Sequence, residues 1–272
     1  MSAAHSQPAS VVINEAVRLE REGTVGWVVL TRPGQINAIN DDIRMGVPQA
    51  LTLLQLDAEI RVIVIRGEGE RGFCAGADIK ERRGPETSLQ VRKRMENVRW
   101  IEALDTVAKP VIAAIHGYCM GGGLELVLAC DIRFAAPNAV FALPETGLGL
   151  IPGGGGTQRL SRVVAPGQAL DMLLTGDRMT AEQAQRIGLV SRLATDNATL
   201  VDEVRAFAQR IGAKPPTASA FVKQAARAAL QLDLKSGLDL ELDLFALLAP
   251  TKDAREAALA FSERREPRFT GE

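Results

Sequence analysis

The sequence predicts an α/β fold, and three observations carry the prediction. A β-branched strand, a glycine-rich loop and a helix follow one another from "IRVIVIRG" through "EGERGFCAGAD" to residues 86–106. The same series recurs from "KPVIAAIHG" to "GGLELVLACD". From about Ala165 the chain then turns mostly helical. Strands followed by glycine loops and helices build a layered fold whose sites lie at loops leaving strand ends.

Along the chain, "VVINEAVRLE" and "VGWVVLTR" flank "REGT" and read as two strands of a hairpin. "DDIRMGVPQALTLLQLD" has an Asp expected to cap its N-terminus and helical apolar spacing, with Pro48 expected to kink or restart it. "IRFAA" and "AVFALP" read as short strands. "PGQALDMLLTG", "TAEQAQRIG", "ATLVDEVRAFAQRIG", "PPTASAFVKQAARAALQ" and "LKSGLDLELDLFALLAPTKDAREAALAFSER" read as helices. The expected organisation is a core over residues 1–198 with the loops that carry the chemistry. A helical lobe over 199–272 covers the cleft or mediates assembly.

Composition narrows the function. The 272 residues are 46% hydrophobic and 24% charged, with net charge −1, so no polybasic field is available for nucleic acid or an anionic membrane. Apolar runs stop well short of a membrane span. Cys74, Cys119 and Cys130 are too few, and odd in number, for a disulfide framework, which points to a reducing, cytoplasmic setting. The start, "MSAAHSQPAS", has no secretory pattern. His5 and His116 are far apart, and no Cys/His cluster has metal-ligand spacing, so no metal is expected. His116, at a strand end, reads as structural, and Trp27 and Trp100 as core. No dinucleotide, phosphate-loop or serine-hydrolase motif is complete. "ERRGPETSLQVRKRMENVR" reads as a solvated face, with Arg82 and Arg83 able to reach an anion near the first loop.

The chemistry concentrates in the glycine loops. In "CAGAD" the amide of Ala77 is free to point out of a turn. In "MGGGLE" the amides of Gly121 to Gly123 lie at a helix N-terminus without intrahelical acceptors. Singly, each is a tight turn. Together they can hold an oxygen on which charge develops. Glu125 opens an otherwise apolar run, where a carboxylate either caps the helix or does chemistry. Glu145 follows Pro144 beside another glycine-rich loop. Two carboxylates beside one oxyanion hole match acid/base work on a carbonyl compound.

"CAGADIKE", "KPVIAAIHGYCMGGGLELVLACDIRFAA", "FALPETGLGLIPGGGGTQRL" and "LLTGDRMTAEQAQRIGLV" together resemble the enoyl-CoA hydratase/isomerase (crotonase) superfamily. The resemblance runs from "LTRPGQINAIN" to "AFSERREPRF" and looks closest to its methylglutaconyl-CoA hydratase branch. It implies a crotonase-like spiral of repeated ββα units, a C-terminal helical lobe and a homotrimer or homohexamer. It implies that Ala77 and Gly122 donate to a thioester oxygen. It implies that Glu125 activates a water and that Glu145 shares it and exchanges the α-proton. CoA, entering as part of the substrate with no separate cofactor, would meet Cys74, Ala75, Ala77, Asp78, Ile79, Phe245 and Arg264. The sequence departs from the family pattern at Gly34 and Arg264, both frequently lysine. Retention of both carboxylates favours 2-enoyl-CoA hydration over isomerisation or a non-catalytic acyl-CoA-binding role.

Overall fold

The computed structural model describes residues 9–78, 80–81 and 84–272. The chain opens with an antiparallel meander of β1 (Ala9–Asn14), β2 (Val17–Glu22) and β3 (Val25–Leu30). The expected hairpin is the β2–β3 pair, turning at Gly23 and Thr24. "VVINEAVRLE" is not one strand: it folds back at Glu15–Ala16, where Asn14 Oδ1 accepts from Ala16 N at 3.0 Å. That local side-chain turn is a device Asn offers at little cost.

Three later passages of the chain share one plan. Each lays a strand in the large sheet, then a short strand in a small sheet, then a helix. The first uses β4 (Val62–Gly67), the loop around Cys74 and α2 (Ser88–Asn97). The second uses β5 (Val111–Ile115), β6 (Tyr118–Met120) and α3 (Gly122–Ala129). The third uses β7 (Ile132–Ala135), β8 (Val140–Ala142) and, after a glycine loop, α4 (Gly156–Val163). In the large sheet β3, β4, β5 and β7 pair in parallel. In the small one Cys74, β6 and β8 follow one another in the same way. This is the ββα spiral expected from the resemblance. The large sheet is completed by β10 (Arg192–Leu193) at its edge, and the small one by β9 (Met179–Thr180).

Strand alternation separates two cores. Val25, Trp27, Val29, Val62 and Val64 face α7 (Leu200–Gly212), which buries Leu200, Val204 and Ala208 against them. Val28, Leu30, Ile63 and Ile65 face the other side, which holds α1 (Asp41–Leu56) and α3. The boundary expected at 198/199 thus falls just before a helix that packs on the sheet. After α7 come α8 (Pro216–Ala228), α9 (Leu234–Leu248) and α10 (Lys252–Glu263).

Some local expectations are corrected. α1 runs unbroken through Pro48, held on both sides by buried Val47, Ala50, Leu51 and Leu54, and its cap is Asn40. Residues 86–106 are not one helix. Polar α2, with no buried residue, ends at Asn97, and a 3-10 helix (Ile101–Thr106) follows, turning Ile101 and Leu104 into the core. That i, i+3 spacing suits three residues per turn. The last helical stretch is split in two at Pro250.

Asp131, just past α3, fastens α8 to this framework. Its carboxylate meets Lys223 Nζ at 2.8 Å and Arg227 Nη2 at 2.7 Å, and accepts from Val111 N at 2.7 Å. Arg227 also donates to Ala129 O, at the end of α3, at 2.9 Å. The Lys223 side chain is only 9% exposed. Asp131→Asn would leave two cations facing each other there, so we expect a loss of about 2–3 kcal/mol, measurable by urea unfolding.

Candidate active site

The N-terminus of α3 meets the Cys74–Asp78 loop. Gly121, which precedes α3, has φ +50°, and a Cβ there would lie 3.0 Å from Glu145 Oε1. Gly76 has φ +91°, and its Cβ would lie 3.0 Å from Met120 O and 3.6 Å from Gly122 N. Both positions therefore require glycine, by conformation and by space. Ile39 N donates to Gly76 O at 2.8 Å, and Asp78 N to Ile39 O at 3.0 Å. In a parallel bridge of this kind the residue between, Ala77, turns its own amide away. Neither Ala77 N nor Gly122 N donates to an acceptor among the described residues. Two unengaged amides thus sit on adjoining loops, one of them at the positive end of a helix.

Glu125 lies on the first turn of α3, only 5% exposed. It does not cap its own helix. Its Oε1 reaches across to Gly154 N at 2.7 Å and Gly156 N at 2.9 Å, the start of α4. Its Oε2 has no hydrogen bond among the described residues and lies 3.9 Å from where a Cβ would sit on Gly122. Glu145, on the 3-10 helix Pro144–Leu148, is half-buried, and its Oε2 is occluded with no hydrogen-bond partner among the described residues. Burial pushes both carboxyls above the ordinary carboxylate range. The Gly156 and Gly154 amides partly pull Glu125 back, while the Glu125 charge pushes Glu145 further up. Both carboxyls thus hold a proton more readily than a free carboxylate, and only Glu125 has backbone amides of other residues that offset the rise, an inequality suited to acid/base chemistry.

This carries a stability signature. An acid with a raised folded pKa binds more protons folded than unfolded. Stability therefore falls as pH rises from its unfolded pKa, about 4.3, through the folded value. We expect Glu145→Gln to raise the melting temperature at pH 7–8 and to lose that advantage near pH 4, as followed by calorimetry across pH.

The family profile of enoyl-CoA hydratase/isomerase matches residues 20–272. The chain belongs to the enoyl-CoA hydratase/isomerase family. It is 39% identical to a crotonyl-CoA hydratase of Syntrophomonas wolfei over 259 residues, covering 94% of this chain and 98% of that protein. It is 40% identical to a mitochondrial enoyl-CoA hydratase of Pongo abelii, covering 92% and 84%. A crystal structure of an enoyl-CoA hydratase from Bacillus anthracis superposes with a TM-score of 0.90 at 37% identity, covering 94% of this chain and all of that one.

Within this family member, the structure brings Ala77, Gly122, Glu125 and Glu145 together. It sets the remaining sequence candidates differently. Cys74 is fully buried: its thiol donates to Asn37 O at 3.1 Å, and burial pushes it up to about 12. Ala75 is exposed. Asp78 pairs with Arg32 at 2.9 Å, which holds its carboxyl below the usual range. Ile79, Arg82 and Arg83 lie outside the described residues. Phe245, on α9, and Arg264, just past α10, are exposed. They make no hydrogen bond, ion pair or ring contact with residues 74–78 among the described residues. His116 Nε2 lies 2.7 Å from Gly69 O, and burial lowers its pKa, as fits a structural role.

Sequence reasoning missed the partners of Glu125. The run "PGGGG" was legible as a loop, but not as the donor of the Gly154 and Gly156 amides. Ile101 Cδ1 and Glu125 Oε2 would each lie 2.8 Å from a Cβ on Gly154. Gly154→Ala should therefore displace the carboxylate while leaving the fold. A shift near 1 Å is worth about 100-fold in rate, so we expect a loss of that order in kcat in a variant with native circular dichroism.

Proposed function

We propose that this chain is an enoyl-CoA hydratase that adds water across the 2,3 double bond of an enoyl-CoA thioester to give the 3-hydroxyacyl-CoA. One observation carries the reading: Glu125 and Glu145 both flank Gly121–Gly122, with raised proton affinities and unequal hydrogen bonding. In this reading the thioester oxygen rests on the amides of Ala77 and Gly122, which stabilise it as it gains enolate character. Glu125, whose pKa rise is partly offset by two amides, takes a proton from water as the water oxygen bonds to C3. Glu145, sharing that water, delivers a proton to C2 as the double bond is lost. Glu125 has then gained the water's proton and Glu145 has lost its own to C2, and proton exchange with solvent restores both.

The CoA carrier lies along Ala75, Ala77 and Asp78, with Cys74 as packing beneath them. The family resemblance adds Ile79, Phe245 and Arg264 to the carrier's contacts. The same resemblance supports a homotrimer or homohexamer. Leu234, Leu238, Leu242 and Phe245 form an exposed apolar stripe along α9 at helical spacing, the kind of face that assembly covers. Three free, buried cysteines support a cytoplasmic setting. Among the described residues no helix is long and apolar enough to cross a membrane. Steady-state hydration of short, long, branched and carboxylated 2-enoyl-CoAs tests the proposal. Turnover on at least one sustains it, whereas double-bond migration without hydration replaces it with the isomerase reading.

A further inference from the structure

A cleft of about 540 Å3 opens at the edge of the large sheet, between β10, α7 and α6 (Ala181–Arg186). None of its lining residues belongs to the site described above. Arg192 on β10 and Arg210 on α7 both stack on Phe207, their guanidinium carbons 4.5 and 5.4 Å from its ring centre. Phe207 is itself fixed edge-on by Phe134, with centroids 6.0 Å apart at 77°. Two like charges are thus held beside one ring. No carboxylate among the described residues pairs with either.

The nearest acidic candidate is already engaged. Glu203, also lining the cleft, accepts from Thr195 N at 2.9 Å and Thr199 Oγ1 at 2.6 Å. Two neutral donors, the Ser191 hydroxyl and the Gln185 amide, line the same space and have no hydrogen-bond partner among the described residues. Net charge, two adjacent cations and spare donors all favour an anion. A single carboxylate satisfies one guanidinium fork, whereas a phosphate group has oxygens for two. The volume matches a small organic ligand better than a bare ion.

We propose that this cleft binds a phosphate-bearing small molecule through Arg192 and Arg210, with Ser191 and Gln185 as neutral donors and Phe207 as the platform that orients the cations. The probes are inorganic pyrophosphate and ribose 5-phosphate, titrated calorimetrically into the full chain in chloride buffer at constant ionic strength. The expected result is saturable binding of at least one of them. Arg192→Gln and Arg210→Gln should each weaken it about tenfold or more, the scale of losing a charge-assisted fork. Phe207→Leu should weaken it less, since the charges remain but their platform is lost. Hydration turnover should be unchanged in all three variants, which separates this cleft from the thioester site. Tighter binding of ribose 5-phosphate than of pyrophosphate supports an organic phosphate, and the reverse supports an inorganic one. Absence of saturable heat with both probes overturns the proposal. So does binding that persists in the Arg192→Gln/Arg210→Gln double variant, which would place the phosphate elsewhere on the chain.

Discussion

Glu125→Gln and Glu145→Gln are each expected to lower hydration turnover by about two to four orders of magnitude, the usual worth of a positioned acid or base. The fold should hold in both, because each change is nearly isosteric. In Glu125→Gln the amide oxygen can still accept from Gly154 and Gly156, which the carboxylate meets at 2.7 and 2.9 Å. A purely structural role would therefore survive the substitution, and only the charge and the basicity disappear. In Glu145→Gln the occluded, unpartnered Oε2 is replaced by a neutral group, which removes a desolvated charge. The two variants should differ in a second reading. Exchange of the product's α-proton with deuterated solvent should fall further in Glu145→Gln, because the proposed mechanism assigns the C2 proton to that residue. The loss of the conjugated enoyl-thioester absorbance follows hydration itself.

Gly122→Pro should lower turnover by about 100- to 1,000-fold, near 3–4 kcal/mol of transition-state stabilisation, the cost of one oxyanion donor. Gly122 is the first residue of α3, where proline is well tolerated, so the helix should form. The substitution removes the amide without removing the element that carries Glu125. It also adds a Cβ, which would approach Ile39 Cδ1 to 2.7 Å. Gly122→Ala is therefore the control: it adds the same Cβ and keeps the amide. The excess loss in the proline variant over the alanine variant measures the hydrogen bond. The effect belongs in kcat more than in KM, since the donor acts on charge that develops only during reaction. Equal losses in both variants would assign the effect to the Ile39 contact and leave the amide without a catalytic share.

Much of the architecture was legible because it rests on local pattern. Val62–Gly67 and Val111–Ile115 are β-branched or apolar runs buried on both faces, and they read as strands whatever surrounds them. β6, β8 and β9, with three, three and two residues, are too short for periodicity to mark, and β6 and β9 were missed. Their existence depends on tertiary pairing, such as Cys74 with Cys119. α4 was missed because it starts inside a glycine run with no polar cap: Gly155 stands at the cap position with φ +104°. The site divides the same way. Glu125 and Glu145 stood out because a carboxylate next to glycine and apolar sequence is unusual. The hydrogen bonds from Gly154 and Gly156 to Glu125 span 29 and 31 residues, and no local rule predicts them. Resemblance to a family supplied the pairing of Ala77 with Gly122, and the geometry around Gly76 then gave it a physical basis.

The central claim is that Glu125 and Glu145 act on one water as a single unit, and the double variant tests it most directly. Turnover of Glu125→Gln/Glu145→Gln, measured with the same enoyl-CoA as the single variants, should fall little below the slower of the two. Residues that share one catalytic act lose their joint contribution once either is removed. A loss equal to the product of the two single losses would contradict the account, because it would mean that the carboxylates work independently.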